Sequence, residues 1–123
     1  MKKRPYKLFI EDTIEAMNKI ERYIKNLDYD SFAENTLVID AVVRNLEVIG
    51  EAIKNVPNSV REKYPNIPWK RMIGLRNIVI HEYFGIDLAN VWKIITQNIP
   101  EVEPHIMKIF DELKHKQKRG KKS

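Results

Sequence analysis

The sequence predicts an all-α protein, an up-and-down antiparallel bundle of four to five helices. Three observations carry this. Apolar residues recur at three- and four-residue steps over long stretches. Short clusters of Pro, Asp, Asn and Gly punctuate those stretches. No β-hairpin signal and no internal repeat interrupts the pattern.

The elements follow in order. Ile10, Ile14, Met17, Ile20, Ile24 and Leu27 mark a first helix over about 6–26. Asp28-Tyr29-Asp30 is the turn, and Ser31-x-x-Glu34 reads as a capping box that opens helix two. That helix runs to about Val56, with Val38, Ala41, Val42, Ile49, Ala52, Ile53 and Val56 as its buried stripe, and Pro57 stops it. Ser59-x-x-Glu62 suggests one short helical turn. Tyr64-Pro65-Asn66-Ile67-Pro68 is a rigid connector, and Pro68 suits the first turn of helix three, over 68–83. Asp87 is a good N-cap for helix four, over 88–98. Pro100 and Pro104 break the pattern, and helix five follows to about Lys114. The expected organisation is one helical domain over 1–113 and a basic, disordered tail over 114–123.

Composition narrows the function. The 123 residues include no cysteine, so disulfide and thiol chemistry are excluded. No apolar run approaches the ~18 residues a membrane span needs, and the basic start is not followed by a secretory signal's apolar stretch. A cytoplasmic protein is expected. The formal charge of +5 is unevenly spread. Lys2, Lys3, Arg4 and Lys7 at the start, and Lys114, Lys116, Lys118, Arg119, Lys121 and Lys122 at the end, leave 12 basic residues against 17 acidic ones between them. The body therefore carries −5, and attraction to nucleic acid is local or confined to the tails.

Chemistry concentrates in Arg76-Asn77-Ile78-Val79-Ile80-His81-Glu82-Tyr83. Arginine holds a phosphate with fixed N–H donors and keeps its charge. Histidine takes or gives a proton near neutral pH. Together Arg76 and His81 suffice for metal-free cleavage of a phosphodiester, if the fold brings them together. Positions 76 and 81 lie about 140° apart around a regular helix, so one straight helix does not present both to one phosphate. Either the helix loosens near His81 or a second chain completes the site. Arg76 and Tyr83 share a face, and Asn77 and His81 are four apart. Asn77 serves either to orient His81 or as a plain surface amide. The structural alternatives are a surface ion pair for Arg76, a helix-capping imidazole for His81 and a packed helix end for Tyr83.

Other chemistries find no support. His81, His105 and His115 are widely separated, and no metal-ligand spacing is present, so no metal and no cofactor are expected. There is no Gly-x-Ser-x-Gly elbow, and four scattered glycines form no phosphate loop. Arg44, Glu47 and Glu51 form a polar stripe on helix two, and Gly50 beside them allows close helix approach at some cost in propensity. The stripe reads as an intrahelical ion pair, a face for a dimer partner, or a support for Arg76. Trp69 and Trp92 read as packing anchors.

Arg76-x4-His81-x-Tyr83 resembles the signature of the HepT-like toxins, members of the HEPN superfamily of helical ribonucleases. Arg44 to Ala52, Ile67-Pro68-Trp69, Gly74-Leu75-Arg76-Asn77, Tyr83 to Asp87 and Val91-Trp92 resemble the segments around that signature, over residues 8 to about 113. The resemblance implies a HEPN-type bundle and an endoribonuclease toxin. Arg76 and His81 would be catalytic, Asn77 auxiliary, and RNA the substrate. It also implies a homodimer with the site near its two-fold axis. Tyr83 would be the target of a minimal nucleotidyltransferase antitoxin that uses ATP to adenylylate it. The alternative is a non-catalytic partner of such a nucleotidyltransferase that binds nucleotide at Arg76 and accepts it on Tyr83.

Overall fold

In a computed structural model, the chain is described over residues 4–81 and 87–121, with side chains for 4–77 and 87–115. Seven α-helices and one π-helical turn make up the described residues: α1 Tyr6–Ile24, α2 Tyr29–Glu34, α3 Thr36–Lys54, α4 Asn58–Lys63, α5 Trp69–His81, α6 Leu88–Lys93, the π turn Ile94–Asn98, and α7 Ile99–Lys121. The all-α expectation holds. No helix among the described residues is long and apolar enough to cross a membrane.

The long helix α3 is central, packing against α1 on one side and α5 on the other, while α7 lies along α1. Ile10, Met17 and Ile20 of α1, Val42, Leu46, Ile49 and Ile53 of α3, and Ile106 and Ile109 of α7 are almost fully buried. Their spacing is the three–four rhythm visible in the sequence. Two polar side chains enter this core without loss, because each bonds a carbonyl one turn back. Thr13 Oγ1 donates to Phe9 O at 2.9 Å, and Asn45 Nδ2 donates to Ala41 O at 2.8 Å.

The second predicted helix is two helices. Asp28, not Ser31, caps the first: its carboxylate accepts from Ser31 N at 2.8 Å, and that bond holds the Asp28 carboxyl below its ordinary range. Asn26 adopts a left-handed conformation with φ 68°, which Asn tolerates, and turns the chain out of α1. α2 then stops at Asn35, whose side chain accepts from Val38 N at 3.1 Å and opens α3. Phe32 of α2 is fully buried and packs on Trp92 of α6, ring centroids 5.1 Å apart. Trp92 also meets Tyr29 edge-on at 6.3 Å.

The connector before α5 is pinned by Trp69, whose indole N–H is shared between Tyr64 O at 3.0 Å and Arg61 O at 3.1 Å. Arg61 Nη2 in turn donates to Ile53 O and Lys54 O, satisfying carbonyls at the end of α3. The Tyr64 hydroxyl donates to Glu112 of α7. Burial, then the Glu112 carboxylate, pushes the Tyr64 phenol up to about 12.

Past residue 87 the prolines do not break the chain into separate helices. Asp87 caps α6 as expected, accepting from Asn90 N at 3.1 Å. α6 passes directly into the π turn and then α7, with Pro100 in the first turn of α7 and Pro104 inside it. In an α-helix the Pro100 ring would meet the carbonyl four residues back, Thr96. The wider π turn just before Pro100 relieves that conflict, with Ile99 N–H reaching back to Ile94 O. α7 continues to Lys121, so the basic stretch after residue 113 begins within a helix.

Candidate functional site

The site is built where α3 and α5 cross most closely. A Cβ placed on Gly50 would stand 2.8 Å from Arg76 N, 3.0 Å from Arg76 Cβ and 3.0 Å from Ile73 O. Only a residue without a side chain lets the two backbones approach this far. The next residue on α3, Glu51, then reaches the guanidinium directly: Arg76 Nε and Glu51 Oε1 are 2.6 Å apart, each side chain nearly half exposed. The crossing thus fixes a cation at the surface rather than burying it.

The chemistry of the pair follows from its geometry. Glu51 engages Nε, and a guanidinium carries further donors on its two Nη atoms for a phosphate. An arginine already held by a carboxylate loses less side-chain freedom when it binds an anion. One turn before Glu51, Arg44 Nη1 pairs with Glu47 Oε2 at 3.1 Å. Of the three readings of this stripe, Arg44–Glu47 is the intrahelical pair and Glu51 is the support for Arg76.

Asn77 follows Arg76 on α5 and is exposed. His81 is the last residue of α5, so the helix is maintained up to that position rather than loosening before it. Positions 76 and 81 are therefore separated by about 140° around one helix axis. The His81 side chain and Tyr83 lie outside the described residues. Trp69 and Trp92 are packing anchors, as expected. Among the described residues, no group of three or more His, Asp or Glu could hold a metal ion.

The sequence pointed to Gly50, beside the polar stripe, as allowing close helix approach; it did not show that α5 and Arg76 are what approach there.

Comparisons with known proteins give the family of the chain. A family model described as Ribonuclease HepT-like matches residues 13–109. A Methanocaldococcus jannaschii protein named as a candidate RNase is 45% identical over 106 residues, covering 86% of this chain and 97% of its own. A protein of Thermococcus cleftensis named Probable ribonuclease HepT is 37% identical over 107 residues, covering 87% of this chain and 97% of its own. A third relative, from M. jannaschii, is named as both a gamma-glutamylcyclotransferase and a candidate RNase. It is 40% identical over 111 residues, 90% of this chain but 50% of its own length. No solved structure matches. With the matched region spanning most of the bundle and the Gly50–Arg76 crossing inside it, the chain belongs to the HepT-like ribonuclease family.

Proposed function

We propose that this ribonuclease is a metal-independent endoribonuclease toxin of a toxin–antitoxin pair, with Arg76 and His81 as its catalytic residues. The observation that carries the site is the Arg76–Glu51 ion pair at 2.6 Å, seated by Gly50 on the helix that ends at His81. The RNA's own 2′-oxygen attacks phosphorus as its proton is withdrawn. The 5′-oxygen leaves and takes a proton, giving a 2′,3′-cyclic phosphate and a 5′-hydroxyl. His81 exchanges the protons, and Arg76 stabilises the charge that builds on the phosphoryl oxygens. Asn77 is auxiliary and orients the imidazole or the phosphate.

The 140° separation along α5 supports a homodimer, in which Arg76 of one protomer works with His81 of the other across a two-fold axis. The Arg76-x4-His81-x-Tyr83 pattern, which resembles the HepT-like signature, supports regulation at Tyr83. A nucleotidyltransferase antitoxin would transfer adenylate from ATP to the Tyr83 oxygen, releasing pyrophosphate. The added phosphate and bulk beside Arg76 would close the site.

The test expresses wild type, Arg76→Ala and His81→Ala without any partner, and maps RNA ends. Wild type should arrest growth and leave cyclic-phosphate ends, and both variants should do neither. Intact RNA with all three folded proteins would overturn the nuclease mechanism and favour a nucleotide acceptor. A fully active monomer by light scattering would overturn the shared site.

A further inference from the structure

A second feature of the surface lies on a different face of α5 from Arg76. α5 and the start of α7 do not close on each other. Between them runs a solvent-open groove of about 440 Å³, walled by α5 on one side and by α6, the π turn and the first turn of α7 on the other. Its volume lies in the range of about 300–1,000 Å³ typical of small-ligand sites. The floor is apolar, formed by Met72 and Leu75 with Met17 and Ile49 beneath. The rim carries Arg71 from α5 and Lys93 from α6.

Three properties of this groove point to a ligand. The first is charge: Arg71 and Lys93 outweigh the single rim carboxylate, Glu101, although the body of the protein is net acidic. An anion is favoured here and disfavoured over most of the remaining bundle surface. The second is Gly74, which lines the groove in the middle of α5. A Cβ there would meet nothing within 4 Å, in contrast to Gly50. Glycine inside a helix costs about 1 kcal/mol relative to alanine, and no packing in the protomer requires it at this position. What it preserves is groove space. The third is the wall itself. The π turn Ile94–Asn98 supplies Ile94 and the Asn98 amide, and Asn90 of α6 adds another amide. π segments inside helices are frequent at functional sites.

We infer that this groove is a nucleotide subsite of the ribonuclease, seating one unstacked base of the RNA on its apolar floor and the adjoining phosphate between Arg71 and Lys93. The aliphatic floor supplies an apolar contact for any base, and the amides of Asn90 and Asn98 offer donors and acceptors to its edge. Glu101 can accept from an exocyclic amine. The inference rests on the ribonuclease assignment for its choice of ligand, but not on Arg76, His81 or Tyr83.

The test uses the four methionines, Met1, Met17, Met72 and Met107, labelled with 13C at their methyl groups. Met72 reports the groove, and Met107, on α7 and nearly half exposed, is the control. Titration with AMP, GMP, CMP or UMP should move the Met72 signal and leave Met107 in place. A dissociation constant of order 1 mM is expected for a single nucleotide. Arg71→Ala combined with Lys93→Ala should weaken binding at least about fivefold, by loss of charge-assisted contacts. Gly74→Leu should abolish it by filling the groove, with the fold checked by circular dichroism.

Three results would each overturn the inference. Met72 stays silent at about 20 mM nucleotide, some twentyfold above the expected constant. Inorganic phosphate alone moves Met72 as much as a nucleotide does, showing no base seat. Gly74→Leu splits a dimer in light scattering, showing that a second copy fills the groove. RNA cleavage by wild type is measured alongside. Cleavage with a silent Met72 refutes the subsite and leaves the ribonuclease standing. A responsive Met72 without cleavage keeps the nucleotide seat but overturns its assignment to a ribonuclease reaction.

Discussion

Replacing either of two glycines with alanine should change stability in opposite directions, although both lie inside helices. At Gly50 the new Cβ would sit 2.8 Å from Arg76 N and 3.0 Å from Ile73 O, both backbone atoms that no rotamer change can move away. α3 and α5 must separate by a few tenths of an ångström, which costs about 1–3 kcal/mol by the usual penalty of overpacking. The helix-propensity gain of alanine returns about 0.5–1 kcal/mol. The net expectation is a loss of about 1–2 kcal/mol, or about 4–8 °C in Tm for a chain of this length. At Gly74 the Cβ meets nothing within 4 Å, so only the propensity gain remains, and Tm should rise by about 2–4 °C. Thermal melts followed by circular dichroism at one fixed protein concentration compare the three proteins directly. A Gly50→Ala protein as stable as wild type would refute the reasoning, because the close crossing would then not be needed. Since the same crossing seats Arg76 against Glu51, Gly50→Ala should also lose most RNA cleavage.

Further outcomes follow from the other contacts. Glu51→Gln removes a half-exposed ion pair and should cost less than about 1 kcal/mol, yet slow single-turnover RNA cleavage at least about tenfold by loosening Arg76; a large stability loss with unchanged cleavage would reverse that assignment. Asn35→Ala should destabilise by about 1 kcal/mol through loss of the α3 cap, while Ser31→Ala, whose hydroxyl is not the cap, should fall within about 0.5 kcal/mol of wild type in urea unfolding. Glu103 of α7 is pushed up to about 7 by its hydrogen bond with Glu21 of α1, then by burial and the Glu21 charge. A raised carboxyl pKa means the folded state binds the extra proton, so this stabilisation is full below the ordinary Glu range and is lost as pH rises through about 7. The Tm of wild type should therefore decline between pH 5 and 8, by less than the bare shift implies because the site is partly solvated, and Glu103→Gln should flatten that decline. An unchanged slope in the variant would dismiss the Glu21–Glu103 pair as its source.

Much of the fold was legible because its core rests on one rhythm. Ile10, Met17, Ile20, Ile49 and Ile53 are apolar at helical spacing and all are buried. The Asp87 cap was readable because it stands alone before an apolar stretch. The start of the second helix was not, because Asp28 and Ser31 are both good N-cap residues, and Asp28, accepting from the Ser31 N–H, opens the helix one turn earlier. The prolines misled for a related reason. Pro100 conflicts with regular α geometry in the turn before it, but a π turn offers a helical way through, and Pro104 sits inside α7, neither of which a strict reading of proline as a stop considers. At the site, Arg76 stood out by residue type. Glu51 was visible as one member of a polar stripe, and only the three-dimensional crossing separates it from Arg44 and Glu47. Gly50 was legible as a place where another helix can come close, but a contact between helices distant in sequence leaves no periodic trace, so its partner, α5, was not.

The antiparallel packing of α1 and α7 also has an architectural consequence. Lys7 near the start of α1 lies over the Phe110 ring, and Tyr64, just before α5 begins, bonds Glu112. The beginning of α1, the later part of α7 and the beginning of α5 thus share one end of the bundle. The thirteen residues of α5 carry its other end about 20 Å away along its axis. Polypeptide added at either extremity would emerge opposite the end of the motif helix and leave it unobstructed. The M. jannaschii relative of which this chain spans only half the length shows that such joining to a second catalytic unit occurs among proteins similar to this one. Modularity of this kind needs no special linker, because the bundle's own topology keeps the point of attachment and the far end of α5 apart.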